Sequence, residues 1–149
     1  MTARWRSLAI IVCAVTLASA AGLRAQTQAP KTIKREPAQA TKTLEGKDSF
    51  DSYCAVCHGK DAKGGGPAAS ALKMPPADLT LISQKNGGKF PTVHVRDVIL
   101  GTAAEAPAHG DRDMPIWGDI FRNLSGNDRD IVLLRTTNLV QYLEGLQVK

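Results

Sequence analysis

The chain has 149 residues, which is room for one domain and a tail and excludes two full domains. Hydrophobic residues make up 43% and charged residues 22%, which excludes a wholly disordered chain, and three cysteines exclude a disulfide framework. The formal net charge of +5 suggests a basic protein, but part of that charge belongs to the N-terminal stretch.

Arg4 and Arg6 precede an uncharged stretch over residues 7–23. Its apolar part, residues 8–17, is followed by the small residues Ala18, Ser19, Ala20 and Ala21. Charge, apolar core and small residues, in that order, are expected of a secretory signal peptide over residues 1–25, cleaved after Ala20 or Ala25. The alternative is a retained anchor helix, disfavoured because a span takes roughly 20 apolar residues. Cys13 lacks the small residue that precedes a lipoprotein cysteine, so no lipid is expected there. Loss of residues 1–25 removes Arg4, Arg6 and Arg24, so Lys plus Arg falls from 19 to 16 against 14 acidic residues and the net charge falls to +2. No basic run with interleaved aromatics is present, which excludes a nucleic-acid-binding signature. The mature chain is expected in the periplasm, with Cys54 and Cys57 in an oxidising compartment and no membrane span.

Residues 26–42 hold Thr, Gln, Pro, Lys and Ala with almost no large apolar group. Such a stretch buries too little to offset ordering, so a flexible leader is expected, with the folded domain over residues 43–149. A first helix is predicted to start at Thr43 as N-cap, with Glu45 in its first turn. Gly46, Phe50, Tyr53, Cys54 and Cys57 form its apolar or small face. A Gly- and Pro-rich loop comes next, over residues 59–76, with a short helical turn at Asp78. A second helix is predicted over residues 91–100, with Pro91 at its first position and Gly101 just past its end. After a loop over residues 102–115, a third helix begins beyond Ser125, Gly126 and Asn127, with Asp128 and Asp130 at its positive end. It carries a wide apolar stripe including Ile131, Leu134, Leu139 and Leu143. No stretch alternates with period two, so the fold class is all-α.

One motif carries chemistry: Cys54-Ala55-Val56-Cys57-His58, the C-x-x-C-H signature of c-type haem attachment. Residues three and four apart share a helix face. Two thiols so spaced can form thioethers with the two vinyl groups of one porphyrin, and the next imidazole can reach its iron. A structural zinc site would need about four ligands, and no second Cys or His pair stands at matching spacing. A thioredoxin-like dithiol would need a βαβ setting, which the pattern lacks.

From Gly46 to Leu146 the sequence resembles a bacterial class I c-type cytochrome. The matching pieces are Gly46, Phe50, Tyr53 and the motif through Gly59; Gly66-Pro67-Ala68; Pro76-Ala77-Asp78-Leu79-Thr80; Met114-Pro115-Ile116-Trp117-Gly118; and the closing Leu139, Tyr142 and Leu143. The resemblance implies three main helices and long loops around one haem c, bound through Cys54 and Cys57 with His58 on the iron. The candidates for the second axial ligand are Met74, Met114, His94 and His109, and the Met-Pro-x-Trp-Gly context points to Met114. The resemblance further implies that the Pro67 carbonyl accepts the other ring N–H of His58, with Gly64, Gly65 and Gly66 letting that backbone approach the ring. Gly46 is expected to let the first helix pack tightly on the last near Tyr142 and Leu143. Trp117 is expected against the haem with its N–H toward a propionate, or as an ordinary core aromatic.

The function so implied is that of a monomeric periplasmic one-electron carrier with transient redox-protein partners and no catalytic residue. A second hypothesis is a haem subunit or dedicated electron acceptor of a periplasmic dehydrogenase or oxidase complex. A third is a haem enzyme or gas sensor with a labile distal ligand.

Overall fold

The computed structural model describes residues 36–103 and 113–148. The expected signal peptide, the leader ahead of residue 36, His109 and residues 104–112 of the second loop lie outside the described residues. Among the described residues the regular structure is helical, without strands, as the all-α expectation required. No helix among them is long and apolar enough to cross a membrane.

Helix α1 consists of three consecutive segments, Gly46–Ser49, a π-helical turn Phe50–Cys54, and Ala55–His58. Its N-cap is Glu45 rather than the expected Thr43, and no side chain caps it. The Thr43 hydroxyl is engaged outside the first turn's amides: it accepts the Glu45 N–H at 3.2 Å and donates to Asp48 Oδ2. After the 3-10 turns Ala69–Ala71 and Leu79–Leu81 comes the single turn α2 (Ile82–Lys85). Asp78 opens the second of these turns by accepting the Thr80 N–H at 2.8 Å, where a helical turn was expected. Helix α3 is Thr92–Leu100, with Gly101 just past its end as predicted and Pro91 as its N-cap rather than its first residue. Helix α4, Trp117–Leu124, was not expected. Its apolar residues Trp117, Ile120, Phe121 and Leu124 do keep helical spacing, but over only eight residues. Helix α5, Arg129–Gly145, starts at Asp128, whose carboxylate accepts the Asp130 and Ile131 N–H groups at 2.9 and 3.2 Å.

Helix α5 is the spine: α1, α3 and α4 all pack on it. Gly46 is buried against it, and a Cβ there would stand 2.7 Å from Tyr142 Cβ and closer still to the Asn138 backbone. The expected tight crossing of first and last helices is therefore present. Phe50 stacks on Tyr142 beside it, ring centroids 5.4 Å apart.

The buried face of α5 departs from the expected leucine stripe. Leu133 and Leu134 are exposed, while Arg135 is 3% and Thr136 0% exposed. Thr136 is satisfied, and Arg135 is satisfied through its Nη1 while its buried Nε has no hydrogen-bond partner among the described residues. Thr136 donates to Val132 O at 2.7 Å. Arg135 donates to Thr41 Oγ1 and Ser49 Oγ, and its guanidinium lies over the rings of Tyr53 (5.8 Å) and Phe121 (5.6 Å). Hydrogen bonding and cation–π contact hold this buried cation inside the domain.

Those contacts also move the expected boundary of the leader. Ala38 packs on the core, and the Tyr53 hydroxyl donates to Gln39 O at 2.8 Å while accepting the Thr41 N–H at 3.1 Å. The stretch from Ala38 to Thr41 thus belongs with the domain, held by polar anchors rather than by apolar area of its own. At the other end, Gln147 Oε1 accepts the Ser83 N–H and its Nε2 donates to Leu79 O, both at 2.8 Å. Val148 N–H donates to Thr80 O at 3.0 Å.

Candidate functional site

Cys54 closes the π turn, and Ala55–His58 is the last turn of α1. A π turn reaches back five residues instead of four, so it absorbs one extra residue and rotates the remainder of the helix by about 100° relative to an unbroken α-helix. The stripe Gly46, Phe50, Tyr53 stays buried, whereas Cys54 and Cys57 are only half-buried and Val56 between them is exposed. The single continuous face expected from the sequence is thus split in two. Cys54 stays packed at the edge of the core, whereas Cys57 is turned off it.

Both cysteines are free thiols. Burial, with the neighbouring Cys57, pushes the Cys54 thiol up to about 12. Burial also pushes the Cys57 thiol up, and the Asp113 carboxylate adds to it. Reactive dithiols of the thioredoxin kind need the opposite shift, toward thiolate. These two side chains are instead held as neutral S–H groups. Among the described residues no group of three or more His, Cys, Asp or Glu side chains converges as a metal site would require.

The end of α1 leaves carbonyls without helical partners, and the next loop supplies them. Val56 O, Cys57 O and His58 O accept the N–H groups of Ala68, Gly66 and Gly64 at 2.9, 3.0 and 2.7 Å. A Cβ on Gly66 would stand 2.6 Å from the Cys57 carbonyl carbon, so only glycine admits this approach. Gly66 therefore serves the motif backbone, while Gly64, where a Cβ would collide with Pro76 O, also admits the segment whose next carbonyl meets the histidine ring.

His58 Nδ1 lies 3.0 Å from Ala77 O. An N–H on Nδ1 donating to that carbonyl leaves Nε2 as the nitrogen with a free lone pair. Pro67 was expected to supply this carbonyl; it is exposed, and Ala77 takes its place. The reason is loop packing. Buried Ala62 adopts a left-handed backbone, φ +61°, and its carbonyl accepts the Leu79 N–H at 2.8 Å. Such a backbone costs an L-residue about 1–2 kcal/mol. It draws the segment from Pro76 to Leu79 under the turn and brings Ala77 to the imidazole.

The ligand candidates differ in setting. Met114 is half-buried and packs against the core, whereas Met74 is 72% exposed. His94 is exposed on α3, and the carboxylate beside it, Asp97, pairs with Arg96 at 3.3 Å. His109 lies outside the described residues. Trp117 is 9% exposed and packs on Tyr53 (5.4 Å) and Phe121 (5.7 Å), which accounts for it as a core aromatic. Cys54, Cys57 and His58 are together at one helix end, with the Met114 segment returning toward them through Asp113. Sequence reasoning missed the Ala77 carbonyl and the burial of Arg135. The segment holding Ala77 was noted, but nothing in it singles out a carbonyl. Comparison with protein-family models, with curated proteins and with solved structures gives no match to this chain.

Proposed function

We propose that the chain is a periplasmic one-electron carrier that binds a single haem c through Cys54 and Cys57, with His58 and Met114 as axial ligands. One observation carries the reading. Two neutral thiols, three residues apart, stand at the end of one helix beside an imidazole whose Nδ1 is engaged and whose Nε2 is left to ligate. That donor set fits a covalently bound porphyrin: each S–H adds across a vinyl C=C, sulfur to one carbon and hydrogen to the other. The bound group supplies the Fe(II)/Fe(III) couple. The chain's residues do the rest. The Ala77 carbonyl orients the His58 ring and raises its basicity. The loop amides of Gly64, Gly66 and Ala68 stiffen the helix end that carries the sulfurs. Met114 is favoured over Met74 because its side chain already lies against the core.

Expression with export in a host equipped for haem attachment tests this. The product should be coloured, with an intact mass that exceeds the polypeptide by one haem and a low-spin spectrum. Met114→Ala should abolish the near-infrared methionine–iron band and open the iron to added ligands, and Met74→Ala should leave the band in place. A colourless product with the bare polypeptide mass overturns the reading, and loss of the band in Met74→Ala overturns the ligand assignment.

A further inference from the structure

Asp113 stands where three parts of the chain meet. Its Oδ2 accepts the backbone N–H of Lys73 at 2.9 Å and of Met74 at 3.3 Å. Its charge reaches the Cys57 thiol. It is bonded directly to Met114. The two amides it holds come just before Pro75 and Pro76, which have no N–H of their own to fasten that loop. One carboxylate oxygen therefore ties the backbone that presents Met114 to a loop 39 and 40 residues earlier in the chain.

We propose that Asp113 is a positioning residue for Met114: a clamp on the main chain beside the ligand that keeps its sulfur in place against outside ligands. The proposal rests on the haem reading above. A tethered ligand competes with a free one through its effective concentration, which falls when the tether loosens. Both hydrogen bonds are made to one side-chain oxygen. Releasing them leaves Met114 intact but free to wander. The carbonyl oxygen of an amide can accept the same two N–H groups, so Asn at this position keeps the clamp and Ala does not.

The test compares the ferric holoprotein with Asp113→Ala and Asp113→Asn. Imidazole is titrated in, loss of the near-infrared methionine–iron band is monitored, and exchange of the Lys73 and Met74 amides is measured by NMR. Asp113→Ala should bind imidazole about tenfold more tightly and exchange both amides faster, and Asp113→Asn should stay within about twofold of the unaltered protein. Unchanged imidazole affinity in Asp113→Ala, or amides that exchange no faster in it, overturns the clamp and leaves the haem reading standing. An Asn variant as open as the Ala variant also overturns it, because charge rather than tethering would then be at work. If the unaltered chain takes up no haem, both readings fall together.

Discussion

Gly46 is a position where one added methyl group does harm. Replacing it by Ala would gain about 1 kcal/mol of helix propensity. The new Cβ would press on Tyr142 Cβ and on the Asn138 main chain, which cannot rotate away. Overpacking of this kind costs about 1–3 kcal/mol, more when backbone must shift. Gly46→Ala should therefore lose about 1–2 kcal/mol in urea unfolding, and an unchanged midpoint would mean that α1 and α5 separate freely. The tight crossing at Gly46 and the gathering of Cys54, Cys57 and His58 at one helix end were legible in the sequence because both depend on spacing within one helix. The carbonyl that steadies His58 was not, because any residue type can supply a carbonyl. Which one does so is decided by a contact across 19 residues.

Among the elements, α3 and α5 were legible from their ends, where Gly101 and Asp128 have clear local roles and Pro91 marks the start to within one residue. Helix α4 was missed because four apolar positions in eight residues make a faint pattern. The π turn has no compositional mark at all. Asp78 at the turn before α2 carries a pH signature. The Thr80 hydroxyl, and with it the Thr80 N–H, holds the Asp78 carboxyl below its usual value of 3.8. A group with a lowered native pKa stabilises the fold when ionised. Its contribution is complete above 3.8 and is lost as the pH falls through the lowered native value. Asp78→Ala should thus be less stable than the unaltered protein at neutral pH. Urea midpoints of the two should converge on acidification below the usual carboxyl value. A gap that persists there would mean that the turn is not held by the ionised carboxylate.

At the scale of the whole molecule, contacts between distant segments decide what local patterning could not. Arg135 and Tyr53 draw the stretch from Ala38 to Thr41 into the domain although its composition argued for a free leader. Gln147 joins the end of the described chain to Leu79 and Ser83, two residues and more beyond the carbonyl that orients His58. Gln147→Ala should cost about 1–2 kcal/mol for its lost hydrogen bonds. It should also shift the His58 imidazole resonances in NMR, though no atom of residue 147 touches the ring; unshifted resonances would mean that the loop holds its position without Gln147. The π turn has a different consequence. It stores an offset of one residue within an otherwise regular rod. Excising one position from 50 to 53 would let the rod heal into uniform pitch with both sulfurs keeping their angular place, because the residue removed is the one the turn absorbs, whereas reverting the turn to α pitch at full length would swing them by about 100°. The direction in which this pole of the protein faces therefore hangs on the pitch of one turn, and a chain of full length and sound helicity that lost the π turn would present Cys54 and Cys57 to a different side.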